Sequence, residues 1–356
     1  YAIIILVFVA FCMFYFGQPV LNYGFTQLPI LILLFLVIAI ILFTKLKINP
    51  VNKQLIIAEK PSKIFIILIA FVSAYVIILP LLTSLPMFRS ESYRNLIGEV
   101  KDGNDLKNHI APISLDEIRV VDERLAMLLG EKIIGSQPSL GSQTEIGDFT
   151  IQKVNNKLYW VAPLLHTGFL KWFNNSEGTP GYVMVSATNE RDVKLVQEIN
   201  GQPVKIKYQP EAFFGSEIER HVYFNGYTTT GLADFNFEID DKGVPFWIVT
   251  TYKKQVGFGG SNATGSLVVN AQTGGIQHYE IDDTPLWVDR VQPLDFVEEQ
   301  LSDWGEYVHG YWNWSNENKL QTTEGLTLVY GENHKSYWYT GLSSVGKEES
   351  TVGSVL

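Results

Sequence analysis

The sequence predicts an α+β protein in which N-terminal transmembrane helices are followed by tandem repeats of a helix plus an antiparallel β-meander. Two observations carry this prediction. The N-terminal quarter of the chain contains three nearly uncharged apolar segments, and the remainder repeats one aromatic-Trp motif three times. A pattern that recurs at a regular interval of tens of residues is typical of a tandem array.

The apolar segments cover residues 1–16, about 25–44 and 64–86, and each is near the length that crosses a bilayer core. We therefore expect three transmembrane helices within a membrane domain of residues 1–90. The first segment starts without Met and is apolar from Tyr1 onwards, which suggests that the sequence begins inside a helix.

The loops between these segments predict the orientation. Segment 45–63 carries five lysines against Glu59 alone, whereas the loop at 17–28 is uncharged. Short loops rich in Lys and Arg stay in the cytoplasm. We therefore expect a multi-pass cell-membrane protein with segment 45–63 in the cytoplasm and everything after Pro86 outside it.

Charge and cysteine usage restrict the partners. Residues 1–90 carry a net charge of +5, so the chain total of −10 leaves −15 for residues 91–356. An acidic domain repels a phosphate backbone, which excludes nucleic acid and leaves the lipid bilayer and proteins as partners. The single cysteine, Cys12, lies in the first apolar segment, so the exported part has no disulfide. This usage favours a bacterial envelope.

The repeated motif is an aromatic-Trp pair followed by a run of small and β-branched residues that begins with glycine. The tryptophans are 87 and 91 residues apart. The three copies are Tyr159-Trp160 with Gly181, Phe246-Trp247 with Gly265, and Tyr337-Trp338 with Gly353. A second match joins Gln209-Pro210-Glu211-Ala212-Phe213 to Gln292-Pro293-Leu294-Asp295-Phe296, 83 residues later. These spacings predict three units, at residues 91–190, 191–276 and 277–356.

Each unit is predicted to begin with a helix. In the first, Ser114 and Glu117 form a capping box ahead of apolar residues at helical spacing from Ile118 to Leu129. The third copy runs from Phe296 to Val308, and the second, about 213–223, is the weakest.

A strand, a polar turn, the Trp strand, a variable loop and the Gly-led strand follow the helix. The turns have the Asn, Asp and Gly residues that tight hairpins require. They are Val154-Asn155-Asn156-Lys157, Asp240-Asp241-Lys242-Gly243 and Tyr330-Gly331-Glu332-Asn333. We expect the helix to lie across one face of the sheet with the tryptophan packed beneath it.

One turn carries a family resemblance. After the Gly-led strand of the second unit stands Asn270-Ala271-Gln272-Thr273-Gly274-Gly275-Ile276. With the helix and meander before it, this resembles the PepSY family, whose modules end in a D-A-x-T-G-E-I type turn, and it departs from that pattern at Asn270 and Gly275. The first unit has only Ser186-Ala187-Thr188-Asn189 there, and the third stops at Leu356 before the turn, so we expect the natural protein to continue. The resemblance implies an extracytoplasmic module, often inhibitory or regulatory and often joined to membrane spans, and it supplies no catalytic residues.

Catalytic motifs are not recognisable in the sequence. The six histidines, which form no metal-binding spacing, are His109, His166, His221, His278, His309 and His334. No nucleophile elbow or phosphate-binding loop occurs, and 257–261 is interpreted as a flexible loop between two strands. The sequence therefore predicts no catalytic residue, metal ligand or cofactor.

Two alternative functions remain open. Glu299, Asp303 and Glu306 lie near one helix face with His309 one turn beyond, which would suit an envelope hydrolase acting on peptidoglycan or peptides; a solvated helix face explains the same residues. Alternatively, the three spans belong to an accessory subunit of a transport or secretion assembly. They contain no internal charge that would mark a path, which argues against an independent transporter.

The favoured function is non-enzymatic binding or regulation of another envelope protein. The variable loop of the first unit exposes more apolar surface than a soluble loop should, so it is predicted to touch the membrane or a neighbouring unit. A second aromatic group follows the third helix. The predicted binding residues are His166, Phe169, Trp172, Tyr311, Trp312 and Trp314.

Overall fold

The structure is a computed structural model that describes residues 2–43, 46–48, 55–57, 63–100, 118–323, 325–331, 335–346 and 351–355. Its helices are α1 (Ala2–Gly17), α2 (Gln27–Phe43), α3 (Lys63–Ser84), α4 (Pro86–Arg94), α5 (Glu123–Gly135), α6 (Pro138–Gly141), α7 (Phe169–Asn174), α8 (Ile218–Phe224) and α9 (Leu294–Glu306). Single 3₁₀ turns occur at Asn95–Ile97, Phe214–Ser216 and Ile281–Asp283.

The strands fall into three main antiparallel sheets and two short hairpins. The hairpins are β1 (Leu46–Ile48) with β2 (Leu55–Ile57), and β8 (Glu198–Ile199) with β9 (Gln202–Pro203). The first sheet contains β3 (Thr144–Ile146), β4 (Thr150–Val154), β5 (Lys157–His166), β6 (Tyr182–Ser186) and β7 (Val193–Val196). The second contains β10 (Gly231–Ile239), β11 (Pro245–Val256), β12 (Gly259–Asn270) and β13 (Ile276–Glu280). The third contains β14 (Leu320–Thr322), β15 (Thr327–Tyr330), β16 (Ser336–Ser344) and β17 (Thr351–Val355). Helices combined with antiparallel sheets confirm the α+β class.

Apolar helices occupy the three segments in which spans are predicted. By length and composition, α3 is the one helix of the described residues that is long and apolar enough to cross a membrane. It buries none of its side chains against the rest of the protein, and it contains Pro80. The helices α1 and α2 are equally apolar but shorter.

The Trp strands pair as the sequence predicts. In the first sheet β5 lies between β4 and β6, and in the second β11 lies between β10 and β12. The β4–β5 turn holds Asn155 and Asn156 at φ values of 47° and 65°, the left-handed conformation that a type I′ turn requires. Gly243 closes the β10–β11 turn at φ 82°. Part of the third predicted turn, at residues 332–333, lies outside the described residues.

The first predicted helix begins later than expected. The proposed capping residues Ser114 and Glu117 lie outside the described residues. The helix α5 begins at Glu123, and its N-cap Asp122 accepts a hydrogen bond from the Leu125 backbone N–H at 2.7 Å. Periodicity alone mispredicted 118–121, because the Val121 backbone N–H is bonded to the end of β6 and is not available to a helix.

The other two helices lie close to their predicted positions. Helix α9 contains the predicted third stripe except Tyr307 and Val308, which follow its last residue, and α8 is the short helix expected in the second unit. The Glu217 carboxylate caps α8 by accepting hydrogen bonds from the backbone N–H groups of Glu219 and Arg220.

One hydrogen bond recurs at all three tryptophans. In each case the indole Nε1 donates to a backbone carbonyl that precedes the helix of the same predicted unit, by two residues for α5 and α9 and by ten for α8. The bonds run from Trp160 to Val121 (2.9 Å), from Trp247 to Tyr208 (2.7 Å) and from Trp338 to Gln292 (3.0 Å). Each tryptophan therefore joins the centre of its sheet to the segment that leads into its helix.

A second backbone pattern occurs twice. The carbonyl of Ala187, directly after β6, accepts hydrogen bonds from the N–H groups of Val120 and Val121. The carbonyl of Ala271, directly after β12, accepts them from Lys207 and Tyr208. Both alanines are fully buried. The corresponding position of the third predicted unit lies beyond the described strand β17.

The predicted units share their cores. One cluster combines Tyr159 and Tyr182 of the first unit with Trp247 and Ile218 of the second. Another brings Trp160 and Ile151 of the first together with Trp338 and Leu328 of the third. The first unit thus packs against both of the others.

The apolar helices are attached to the second unit. The Leu21 backbone N–H donates to the Thr228 carbonyl at 2.7 Å, and the Tyr223 hydroxyl donates to the Pro19 carbonyl at 2.7 Å. At the end of α3, the Phe258 backbone N–H donates to the Ser84 hydroxyl at 2.7 Å. The segment at 257–261, interpreted from sequence as a flexible loop, is a tight hairpin tip that begins β12 and contacts α3.

Candidate interaction sites

The predicted variable loop of the first unit folds as the short helix α7. Its rings pack against two phenylalanines that precede α8. Ring centroids lie 5.2 Å apart for Phe169 and Phe213, and 5.5 Å apart for Trp172 and Phe213. Trp172 is buried while Phe169 stays partly exposed. Trp172 therefore anchors α7 inside the protein. The prediction that its side chain contacts a partner is wrong.

His166 also lies inside the protein. It is 1% exposed, so it cannot meet a partner at the surface, contrary to the sequence prediction. Burial lowers the pKa of its imidazole to about 4, which keeps the ring neutral at physiological pH. Its backbone N–H donates to Gln209 Oε1 at 2.8 Å. The amide of Gln209 in turn donates to the Ile206 carbonyl and to the Thr179 hydroxyl, so the recurring glutamine fixes the end of β5.

The aromatic group after α9 is exposed and ordered. Trp312 and Trp314 are 60% and 79% exposed, with Tyr311 at 41%. The Trp312 ring meets the Tyr311 and Trp314 rings edge-on, at centroid distances of 5.2 and 5.6 Å. Between them Asn313 is buried, and its Nδ2 donates to the Glu317 carbonyl at 2.8 Å. We call Tyr311, Trp312 and Trp314 the aromatic platform.

The acidic side chains of α9 and the neighbouring His309 have separate partners. Glu306 accepts a hydrogen bond from Lys319 Nζ at 2.6 Å, and Glu299 is exposed. His309 is exposed, with its Nε2 3.2 Å from Asn318 Nδ2. In the part of the chain that the structure describes, no hydrogen bond or ion pair joins His309 to a carboxylate.

Asp303 is the member of this group that turns inward. Its Oδ2 is buried without a hydrogen-bond partner among the described residues. Burial and then the nearby Glu299 raise the pKa of its carboxyl to about 6. Both acids also raise the pKa of Tyr93 in α4, after the larger effect of burial. Asp303 thus belongs to the contact between α9 and α4. The interpretation of the acidic residues as a solvated helix face is therefore wrong for Asp303.

Two buried carboxyls meet where the three predicted units join. Glu238 of β10 is fully buried, and its two oxygens accept hydrogen bonds from the backbone N–H groups of Asp289 (2.9 Å) and Arg290 (3.1 Å). Asp289 Oδ2 accepts hydrogen bonds from the Lys153 backbone N–H (2.7 Å) and the Tyr330 hydroxyl (2.9 Å). We call Glu238 and Asp289 the acidic junction, because their partners come from all three units.

Both carboxyls of the acidic junction have raised pKa values. Burial raises the pKa of Asp289 to about 7, against the opposing effect of its hydrogen bonds from Lys153 and Tyr330. Burial and the neighbouring Asp289 raise the pKa of Glu238 well above its usual range. Desolvation thus outweighs the hydrogen bonds and positive charges that favour the ionised form of each carboxyl.

Two cavities meet the junction. Asp289 lines one cavity of about 400 Å³ that also contacts Trp338 and Gln300, and another of about 430 Å³ that contacts Lys153 and Asp241. Within the described ranges, no group of three or more His, Cys, Asp or Glu side chains could hold a metal ion.

Sequence reasoning missed the acidic junction. Glu238 stands between Phe237 and Ile239 in a strand, and Asp289 follows Trp287-Val288. A single acid between apolar neighbours is a weak signal of a buried charge, since the same pattern occurs on half-exposed strands. Their pairing across 51 residues depends on the tertiary fold.

Comparisons with known proteins give no relative. No family model matches the chain, and no curated protein or solved structure matches it significantly. Function therefore has to be argued from the residues and surfaces of this chain.

Proposed function

We propose that the chain is a non-enzymatic, multi-pass membrane protein of a bacterial envelope, and that its three extracytoplasmic α+β units bind or regulate another envelope protein. The membrane part of the proposal is supported by the apolar helices α1 to α3, of which α3 has the length of a span. The lysine-rich segment 45–63 between α2 and α3 supports the orientation.

The tandem arrangement is supported by the hydrogen bonds that recur around the tryptophans and around Ala187 and Ala271. Matching bonds at matching intervals favour the division into units at 91–190, 191–276 and 277–356. Copies of one module that share cores would form a rigid scaffold, which suits presentation of a binding surface.

The PepSY-like character of the second unit is supported by its turn. Asn270 Oδ1 accepts hydrogen bonds from the backbone N–H groups of Gln272 and Thr273, at 3.0 and 2.9 Å. Gly274 follows in the left-handed conformation at φ 75°. Asn therefore does here what Asp would do in an Asx turn.

The aromatic platform is the observation that carries the binding function. Tryptophan and tyrosine dominate the energetics of protein interfaces, because they bury large rigid surfaces at a small entropic cost. The platform's two tryptophans are mostly exposed and are held in place by the buried Asn313. Their exposure therefore costs solvation free energy that a bound partner would recover.

The test replaces Trp312 and Trp314 with Ala and cross-links the protein to its neighbours in native membranes, with mass spectrometry as the readout. We expect the platform variant to lose its main cross-linked partner while its melting temperature stays nearly unchanged. Leu286→Ala is the matched control, since Leu286 is an equally exposed apolar residue outside the platform. An unchanged cross-linking pattern in a folded platform variant would refute the assignment.

A further inference from the structure

A second exposed apolar surface is formed by three residues of α7 and by Phe214, which precedes α8. Phe169, Leu170, Phe173 and Phe214 are 44%, 73%, 65% and 57% exposed. The centroid of the Phe169 ring lies 6.0 Å from that of Phe173 and 6.4 Å from that of Phe214. We call these four residues the α7 face. Contiguous exposed apolar side chains of this kind mark a contact with a partner or a membrane.

The α7 face is rigidly supported. The buried Trp172 ring packs beneath it, 5.7 Å from the Phe214 ring. Phe214 adopts φ 54°, a left-handed conformation that is costly for a bulky side chain. The surrounding structure thus holds this ring at the surface against a local preference, so its exposure is a built feature of the fold.

Contacts connect this face to the end of α1. The Phe214 carbonyl accepts a hydrogen bond from Arg220 Nη1 at 3.1 Å. The same guanidinium lies over the Tyr15 ring of α1, 4.8 Å from its centroid, and 5.6 Å from that of Phe16. Phe224 of α8 stacks on Tyr15 at 5.7 Å. A single residue, Arg220, therefore links the α7 face to the last turn of the apolar helix α1.

Apolar side chains are exposed on both sides of this contact. Phe16 at the end of α1 and Phe224 of α8 are 65% and 44% exposed on one side, and the α7 face lies on the other. Lys171 stands on the same short helix, with its Nζ 3.0 Å from the Ser142 carbonyl. Aromatic rings together with Lys and Arg are the side chains that proteins place at the boundary between hydrocarbon and headgroups.

We propose that the α7 face inserts into the outer-leaflet interface of the same membrane that α1 to α3 enter, and so fixes the tilt of the extracytoplasmic units on the bilayer. This inference rests on the proposed membrane location. Its occupant is lipid, since the face lies beside the end of the apolar helix α1, and the span-length helix α3 buries none of its side chains.

The test uses the full chain with Cys12→Ser, reconstituted into phosphatidylcholine vesicles that contain doxyl-labelled lipid. An environment-sensitive fluorophore is attached at Phe173→Cys, or at Ile67→Cys in α3. Lys157→Cys is the control, because this exposed residue is at the opposite end of β5, roughly 30 Å away along the strand. Circular dichroism and the melting temperature check that each variant folds.

We expect the lipid quencher to reduce fluorescence at position 173 several-fold more than at 157, while aqueous iodide shows the reverse order. If position 67 is quenched by lipid but 173 behaves like 157, the lipid-docking inference is wrong and the membrane location stands. If 67 is not quenched by lipid, the proposed membrane location itself fails, and the inference fails with it.

Discussion

At the scale of single residues, burial shifts the pKa of acidic side chains, and close packing requires glycine at particular positions. Burial raises the pKa of Asp289, and the hydrogen bonds and charges of Lys153, Tyr330 and Arg290 lower it by less. A buried carboxyl of this kind titrates near neutral pH, so the stability of the fold must depend on pH.

The folded protein should lose stability as the pH rises from about 4 to about 7. In that range Asp289 binds a proton in the folded state, where its pKa is about 7, but not in the unfolded state, where it is about 3.9. The slope of unfolding free energy is then negative, up to about 1.4 kcal/mol per pH unit for one proton. Glu238 and Asp303, whose pKa values are also raised, act in the same direction. His166 acts in the opposite direction up to about pH 6.5, because burial lowers the pKa of its imidazole to about 4 and only the unfolded state then binds the proton. The three carboxyls together outweigh it, so the net slope stays negative.

Thermal melts between pH 4 and pH 8 measure this effect. Asp289→Asn should flatten the dependence, because the amide does not titrate. Glu190→Gln, at an exposed acid, should leave the curve parallel to that of the original protein. A melting temperature that rises steadily over this range would contradict the assignment.

A glycine substitution tests what Gly181, which directly precedes β6, contributes to the fold. The other two glycines of the motif do not begin strands as predicted, because Gly265 lies inside β12 and Gly353 inside β17. Gly181 adopts φ 100°, and a Cβ there would lie within van der Waals overlap of the Val196 carbonyl in β7. We expect Gly181→Ala to destabilise the protein by more than about 2 kcal/mol, from the conformational cost and the clash together. Gly353→Ala is the matched control, since a Cβ at Gly353 meets no atom within 4 Å. Equal stability of the two variants in urea denaturation would contradict this explanation.

At the scale of elements, the tryptophans join each sheet to its helix. The Trp247 ring packs in a core with Ile218 and Val222 of α8, while its N–H reaches the Tyr208 carbonyl ahead of that helix. One side chain therefore contacts both the helix and the segment that leads into it.

Replacing these tryptophans with Phe keeps much of the apolar volume and removes the indole donor. We expect Trp247→Phe to cost about 1–3 kcal/mol, because the Tyr208 carbonyl would be left without this partner. Trp160→Phe and Trp338→Phe should lower the unfolding free energy in the same way, by smaller amounts because their rings are less buried. Trp287→Phe serves as the control, since the Trp287 indole donates no hydrogen bond among the described residues. A loss in the control as large as in Trp247→Phe would show that volume, and not the hydrogen bond, is what matters.

At the scale of the whole molecule, the apolar helices and the sheets form one body. The α1–α2 loop is bonded to the second unit through Pro19 and Leu21, and α4 packs against α9 of the third. Movement of the sheets would therefore have to move these helices as well.

The orientation of this body can be tested by cysteine labelling in the Cys12→Ser background. We expect a membrane-impermeant maleimide to label Lys157→Cys on intact cells, and Lys53→Cys only after the membrane is permeabilised, because segment 45–63 carries the retained positive charge. The reverse pattern would place the acidic units in the cytoplasm and overturn the proposed location.

Local patterns in the sequence were enough to predict much of the architecture. Apolar runs gave α1 to α3 their approximate limits, and Asn155-Asn156 gave the β4–β5 turn. The same reasoning failed at Val121, where a helical period was overridden by hydrogen bonds to Ala187. It also failed to separate Phe169, which is exposed, from His166 and Trp172, which are buried, because the sequence places all three in one predicted loop.

The sequence by itself therefore determined the α+β class, the position of the apolar helices and the recurrence of the tryptophans, since these follow from the order of residues along the chain. Only the tertiary structure decided that Glu238 meets Asp289, that the first unit packs against both of the others, and that the α7 face lies beside α1. Those contacts join residues far apart in the chain, and their free energy comes from burial and desolvation that exist only once the chain has folded.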